Sequence, residues 1–231
     1  MPPSPQQYVT NLHNRLTRAR KPQTLYHYTS GSGLLGIIQA KSIWATNVRY
    51  LNDSKEYALA LDITEMILKH RQDHARVPFQ EALYQVMRES LKHIEATEVF
   101  VSSFSQNPDQ LSQWRGYCPT ANGYALGFYS KVLEQSNQNE GLSFLAPCIY
   151  DETKQAEQID EIISDVLDFA QRFSMEDPDD DDRVFREGFK LFEKLLPFAA
   201  PVIKHASFEE EREWRLVTTI ADFDPTDAEV R

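Results

Sequence analysis

The residues best suited to chemistry lie near the end of the chain, in the stretch EEEREWRLV, residues 209–217. Side chains alternate between the two faces of a strand. One face then carries Glu211, Glu213 and Arg215, and the other carries Arg212, Trp214 and Leu216. Trp214 and Leu216 are predicted to point inward. Glu213 and Arg215 would then face a second, polar layer, which is either solvent or a cleft.

A second candidate is His27, in the stretch TLYHYTSGSGLLGIIQAKSIWAT, residues 24–46. We expect a strand at about 25–29, then a helix capped by Ser30 or Ser32, because a hydroxyl before an apolar run is a helix start signal. SIWAT, residues 42–46, alternates like a second strand. Alternation points Tyr26 and Tyr28 away from the His27 side chain. These residues leave open whether His27 packs in the core or lines a site.

Two polar segments add further candidates. RYLNDSKEY, residues 49–57, places Arg49, Asn52 and Asp53 in a loop, where they either face a ligand or cap the next helix. LSQWRGY, residues 111–117, is expected to be a loop. It combines the stacking rings of Trp114 and Tyr117 with the positive fork of Arg115, a set that suits phosphate or a packed core equally.

Several other chemistries receive weaker support. Glu152 and Lys154, in YDETK after a strand, resemble the tail of a metal-dependent nuclease site without its upstream aspartate. His70 and His74 have the four-residue spacing that lets two imidazoles share a metal, but the segment lacks the glutamate of a zinc protease, so a solvated helix face is favoured. The sequence contains neither a CxxC pair nor a phosphate-binding glycine loop. We therefore expect no bound metal.

Composition narrows the classes of partner and compartment. The 231 residues carry a formal net charge of −11, which disfavours a general electrostatic grip on nucleic acid. The apolar runs are too short to cross a membrane, and the amino terminus lacks a leader-like apolar core. Cys118 and Cys148 fit two free thiols in a reducing cytoplasm. We expect a cytoplasmic protein without a membrane partner.

The order of the expected elements predicts an α+β fold. The expected order is strand, helix, strand, two helices, three strands, two helices and strand. This order does not alternate regularly, which disfavours a doubly wound parallel sheet. A mostly antiparallel mixed sheet decorated by helical hairpins fits better. We expect an N-terminal helix and linker at 1–23 and a single α+β domain at 24–231, with helical insertions at about 54–96 and 154–205.

Three ordered blocks carry a resemblance to a known family. They are LYHYTS…GLLGII…SIWAT…RYLNDSKEY, VSSFSQNPDQLSQWRGY and FEEEREWRLV. Together they resemble the bacterial domain-of-unknown-function family 2971, over roughly 25–217. That family usually continues beyond the EWRLV strand, so the ending DAEVR suggests a truncated carboxyl terminus.

The chain is also similar, more distantly, to ADP-ribosyltransferase-like folds. In those folds a first-strand histidine or arginine, a middle-strand polar or aromatic residue and a last-strand glutamate surround nicotinamide adenine dinucleotide (NAD). The resemblance gives these roles to His27, to Ser102 or Ser103, and to Glu213. It further implies that Arg49 or Arg115 binds the pyrophosphate and that Trp114 or Tyr117 stacks on a ring. Asn52, Asp53, Glu211 and Arg215 would complete a polar cluster.

The expected function follows from this resemblance. It is NAD-dependent ADP-ribosyl transfer, in which Glu213 stabilises positive charge on the ribose and His27 binds a ribose hydroxyl. The setting would be bacterial conflict or phage defence, with a protein or nucleic acid as acceptor. A metal-dependent nuclease and a non-catalytic nucleotide- or peptide-binding module are the alternatives. The acceptor and the oligomeric state stay open.

Overall fold

The computed structural model describes residues 4–50, 55–94, 99–118, 122–135, 142–176 and 180–219. The chain divides into two compact units. A helical unit comprises Met1–Ala19, Asn52–Thr97 and Cys148–Glu210, and a sheet unit comprises Arg20–Leu51, Glu98–Pro147 and Glu211–Arg231. The helical insertions expected at 54–96 and 154–205 thus fall in the same unit as the N-terminal helix.

The helices and strands follow one another without a regular alternation. In chain order they are α1 (Pro5–Thr17), β1 (Thr24–Ser30), α2 (Gly31–Ala40), β2 (Thr46–Asn47), α3 (Lys55–Asp73), α4 (Pro78–Ile94), β3 (Val99–Ser105), α5 (Leu111–Tyr117), β4 (Gly123–Tyr129), α6 (Ser130–Gln135), β5 (Leu142–Pro147), α7 (Glu152–Glu176), α8 (Asp181–Ala199) and β6 (Glu213–Thr219). Short 3₁₀ turns lie at Val48–Tyr50, Ala200–Val202 and Ala206–Glu211.

In the helical unit, α7 binds two neighbouring helices through its acidic side chains. The Tyr8 hydroxyl of α1 donates to Asp168 over 2.7 Å, and burial raises the pKa of this hydroxyl. Arg15 of α1 forms an ion pair with Asp165 of α7, and Arg71 of α3 forms one with Asp160 of α7. These polar contacts surround an apolar core whose fully buried members include Leu12, Leu68, Leu83, Met87, Ile159, Ile162 and Phe192.

The sheet unit contains one six-stranded sheet. The strand order is β4-β1-β3-β6-β5, and the short β2 also pairs with β3. Every pairing between these strands is antiparallel. This confirms the predicted α+β fold and its mostly antiparallel sheet.

One edge of β3 is shared by two strands, and this opens the sheet between them. β1 pairs with β3 at Tyr26↔Ser105, whereas β2 pairs at Thr46↔Val101 and at the adjacent residue. The segment 102–104 of β3 therefore has no ladder partner on this edge among the described strands. Because β1 leaves β3 here, its residues after Tyr26 border an opening on this edge, while their other edge stays paired with β4.

Three sequence-based expectations were wrong in this unit. LSQWRGY forms the helix α5 and not a loop. The second strand is restricted to Thr46–Asn47, so most of SIWAT is not in a strand. Glu211 lies in a 3₁₀ turn, and Arg212 has φ 44°, so the alternation of β6 begins only at Glu213.

Other features agree with the expectations or extend them. Cys118 and Cys148 are buried free thiols. Glu152 and Lys154 lie in the first turn of α7 rather than at a strand end, and the short helix α6 was not foreseen. Within the described parts of the chain, no helix combines the length and the apolar content that crossing a bilayer requires.

Candidate functional site

A cavity of about 600 Å³ lies where β1 departs from β3. This volume is in the range of small-molecule sites. Its walls come from the end of β1, the start of α2, the segment leading into β2, and the last residue of α5. The described residues that line it are His27, Tyr28, Thr29, Ser30, Ser32, Gly33, Gly36, Ile37, Trp44, Thr46 and Tyr117.

His27 contributes a neutral imidazole to this cavity. Its Nδ1 lies 3.0 Å from the backbone carbonyl oxygen of Ser103, which can only accept a hydrogen bond. Nδ1 therefore carries the hydrogen. Burial lowers the pKa of His27 below its ordinary value, so the ring stays neutral and Nε2 stays an acceptor. Such an acceptor suits a hydroxyl of a bound sugar.

The unpaired edge of β3 explains why a histidine is useful at this position. The Ser103 carbonyl belongs to the segment that neither β1 nor β2 covers. The imidazole occupies this gap and donates the hydrogen bond that a neighbouring strand would otherwise supply. Its ring also contacts Phe104, with centroids 5.8 Å apart. His27 is thus both a structural bridge and a cavity wall.

The first turn of α2 forms a second wall with several polar groups. Ser30 is the N-cap, and its hydroxyl accepts a hydrogen bond from the Gly33 amide over 3.2 Å. The Ser32 hydroxyl lies 2.9 Å from that of Ser30. A Cβ on Gly33 would overlap Thr29 Oγ1, so a glycine is required for this close approach. The amino end of a helix carries partial positive charge and favours anions.

Contacts of Tyr28 and Trp114 hold α5 beside the cavity. The Tyr28 hydroxyl donates to the Asn107 carbonyl over 2.7 Å and accepts from the Gln110 amide over 2.9 Å. Burial raises the pKa of this hydroxyl, which keeps it protonated. The Trp114 ring packs edge-on against Tyr28 at 4.7 Å, and its indole nitrogen donates to Asp109. Trp114 therefore positions α5, which presents Tyr117 to the cavity.

Glu213 and Arg215 lie on the other face of the sheet from His27. Residues paired across neighbouring strands share a face. Glu213 is paired with Ser105, and Ser105 with Tyr26, so all three share the face opposite His27. Arg215 binds the Glu213 carboxylate with two hydrogen bonds, of 2.8 and 3.1 Å, and both residues are buried, at 3% and 5% exposure. The expectation of shared orientation was right, but the alternative of a solvent-facing layer was wrong.

The predicted middle-strand serines occupy different positions. The buried Ser102 donates from its hydroxyl to the Trp44 carbonyl over 3.1 Å, and so anchors one cavity wall. Ser103 contributes its backbone carbonyl to His27, as described above. Its side chain lies on the face of Arg215, with which it is paired. Neither hydroxyl lines the cavity in the described part of the chain.

The remaining predicted residues are spread around the sheet unit. Arg115 is exposed on α5 and does not line the cavity. The half-buried Glu211 receives a hydrogen bond from Ser105 at its carbonyl oxygen. Arg49 lies in the 3₁₀ turn that follows β2, but its side chain is outside the description. Asn52 and Asp53 are outside the described residues.

Both His27 and Tyr28 line the cavity, although strand alternation suggested that only one of them would. The reason is the divergence of β1 from β3. Beyond Tyr26 the edge of β1 borders the opening, so residues of either orientation contribute atoms to its wall.

Sequence reasoning missed Trp44 and the hydroxyl groups of the α2 turn. Trp44 is 78% exposed at the cavity mouth, an unusual setting for an indole. The SIWAT alternation assigned it to a strand and so hid this role. Ser30 and Ser32 were recognised as helix caps only. The closeness in sequence of the Ser30 and Ser32 hydroxyls, the start of α2 and His27 of β1 is the signal that could have indicated a binding surface.

The geometry offers little to the metal-dependent alternative. Glu152 and Lys154 are exposed, and the Lys154 amide donates to the Asp151 carboxylate as in an ordinary helix start. Among residues that the structure describes, no three His, Cys, Asp or Glu side chains gather in a metal-binding group.

Comparison with known proteins finds a similarity to one family and nothing finer. No curated protein and no solved structure shows significant similarity to the chain. Residues 113–216, from α5 to β6, match the model of a family described as protein of unknown function (DUF2971). This match supports the resemblance found in the sequence blocks. Over residues 113–216, less than half of the chain, the protein is thus similar to the DUF2971 family, whose description assigns no activity.

Proposed function

We propose that the cavity beside β1 binds NAD and that the protein transfers the ADP-ribosyl group to an acceptor. The observation that carries the proposal is the neutral His27, whose Nδ1 is held by Ser103 and whose Nε2 remains an acceptor at the cavity wall. A ribose hydroxyl is a natural donor to such a nitrogen.

The other cavity residues fit the remaining parts of a dinucleotide. The rings of Trp44 and Tyr117 offer surfaces for planar bases. The amino end of α2 and the hydroxyls of Ser30 and Ser32 suit the pyrophosphate, because helix amino termini favour anions. The lining includes no lysine or arginine among the described residues, so the helix end would supply most of the positive potential.

The reaction breaks the bond between nicotinamide and ribose and forms a bond from ribose to the acceptor. Nicotinamide leaves with the bonding electrons, and the acceptor loses a proton. Positive charge develops on the ribose, where a carboxylate would stabilise it. Glu213 is the residue that the resemblance to ADP-ribosyltransferase-like folds offers for this role. Glu213 forms an ion pair with Arg215 on the face of the sheet opposite His27. The binding of NAD is therefore better supported than the role of Glu213 in the chemical step.

That ion pair also favours a second candidate function, a nucleotide-binding module without turnover. A carboxylate bound by a guanidinium fork on the other face stabilises the sheet, and this role needs no substrate. The two functions share the cavity and differ in whether nicotinamide is released.

The test measures NAD binding by calorimetry and nicotinamide release by chromatography, with and without bacterial lysate. Wild type is compared with His27→Ala and with a matched control, His74→Ala, whose exposed imidazole lies in the helical unit. We expect binding to weaken in His27→Ala and to persist in the control. Lysate-dependent release supports transfer, and binding without release supports the module. Failure of the wild-type protein to bind NAD would reject both.

A further inference from the structure

The most exposed tryptophan of the chain lines the proposed nucleotide cavity. Trp44 is 78% exposed, whereas Trp214 is 1% exposed and Trp114 is half-buried against Tyr28. Transfer of an indole from water to an apolar contact is favourable, so a largely exposed tryptophan ring in a concave surface indicates a contact with a ligand.

The backbone around Trp44 is fixed although its side chain is open to solvent. The Ser102 hydroxyl donates to the Trp44 carbonyl, and two residues later Thr46 pairs with Val101. Both attachments are to β3. The backbone that carries the ring is therefore held in place, so a bound ligand has to order only the side chain.

The surroundings of the ring suit a planar heterocycle joined to a sugar. Ile37 and Tyr117 supply apolar surface in the same cavity, and a Cβ on Gly36 would meet nothing within 4 Å, so the space beside α2 is open. Thr46 supplies a hydroxyl, and His27 supplies the acceptor for a ribose. Stacking on an aromatic side chain is tolerant of base identity, because every base has a π-face.

We infer that the Trp44 indole is a stacking surface for a nucleobase ring at the mouth of this cavity. The inference rests on the proposed function, since it names the part of the nucleotide that this wall recognises. The ring comes from the adenine of NAD or from the base of a second nucleotide that serves as acceptor. The chemistry of the contact is the same in both cases.

The experiment uses tryptophan fluorescence and calorimetry on the full chain. AMP is titrated into the protein, with ribose 5-phosphate as a probe that lacks the ring. AMP quenches the fluorescence and ribose 5-phosphate does not. Trp44→Leu abolishes the quenching and weakens AMP binding about 5- to 150-fold, the range expected for loss of one stacked base. The control variant, Tyr129→Ala, removes an aromatic residue of 62% exposure that is not among the lining residues, and it retains wild-type binding.

The outcomes separate this inference from the proposed function. If wild type binds AMP and NAD but Trp44→Leu binds them equally well, the stacking role is wrong and the nucleotide site stands. If ribose 5-phosphate quenches as strongly as AMP, the ring is not what Trp44 contacts. If wild type binds neither AMP nor NAD, both ideas fail.

A competition experiment distinguishes the two sources of the ring. Adenosine and thymidine are added to protein saturated with NAD. Further quenching that requires Trp44 assigns the stacking surface to the acceptor base. Competition with NAD, without additional quenching, assigns it to the adenine of the dinucleotide.

Discussion

Replacing Glu213 by alanine tests whether its ion pair with Arg215 stabilises the sheet. The two side chains share one face of β6 and are joined by hydrogen bonds of 2.8 and 3.1 Å. Their exposures are 5% and 3%, so water screens the interaction little. Removing one partner of a buried ion pair costs about 3–5 kcal/mol, because the remaining buried charge loses its nearest counter-charge. For a chain of this size the corresponding fall in Tm is about 6–20 °C.

The assay is urea unfolding monitored by tryptophan fluorescence, because the buried Trp214 lies between the two residues in β6. Arg215→Ala and the double variant complete a thermodynamic cycle. The double variant should lose less free energy of unfolding than the sum of the two single variants, since the two residues interact directly and each single variant already removes that interaction. Glu209→Ala removes an exposed carboxylate near the same strand and should stay within about 0.5 kcal/mol of wild type.

Two results would refute the reasoning. Single variants as stable as Glu209→Ala would show that the pair contributes nothing to the sheet. Strict additivity in the double variant would show that the two residues act independently. If Glu213→Gln instead keeps the protein folded and abolishes nicotinamide release, Glu213 acts in catalysis as well.

Three further variants test other parts of the structure. Burial lowers the pKa of His27, so as pH falls below about 6.5 the unfolded chain takes up a proton before the folded protein does. Between pH 7.5 and 5, wild type should therefore lose stability more steeply than His27→Gln, by at most about 1.4 kcal/mol per pH unit. Parallel curves of the urea midpoint against pH would contradict this. Tyr8→Phe removes the donor to Asp168 and should cost about 1–2 kcal/mol in urea unfolding, a value that would be near zero if the bond were not formed. Gly33→Ala brings a methyl group into overlap with Thr29 Oγ1 and should lower the free energy of unfolding by about 1–3 kcal/mol. Adding Thr29→Ala should recover most of this loss. If thermal unfolding shows no recovery, the strain lies elsewhere.

The fold was accessible from sequence where periodicity is strong. α3 and α4 follow a helical repeat of apolar residues, and the antiparallel sheet follows from strands separated by helices in irregular order. α5 was not accessible, because LSQWRGY has a glycine and only two turns, too short for periodicity to register. The helix packs through Trp114 against Tyr28, a contact between distant parts of the chain that a local pattern does not reveal.

The candidate site was only partly accessible for a similar reason. His27 could be selected by residue type, but its neutral state depends on the Ser103 carbonyl, 76 residues away. Alternation correctly grouped Glu213 with Arg215. It could not include Glu211, because the positive φ of Arg212 interrupts the strand. Trp44 was assigned to a strand that the structure restricts to the two residues Thr46–Asn47.

The register of β6 bears directly on the choice between transferase and binding module. β6 pairs along its length with β3 and β5, and Trp214 is buried on the face of His27 and Phe104. A one-residue shift would bring Glu213 to that face, but it would also move Trp214 to the opposite face and break both ladders. Such a shift is too costly to serve as a catalytic motion. In this register Glu213 stays on the face opposite His27, so turnover in this cavity needs a carboxylate on the cavity side to stabilise the ribose. Without such a carboxylate, the same cavity would bind its nucleotide and leave it intact.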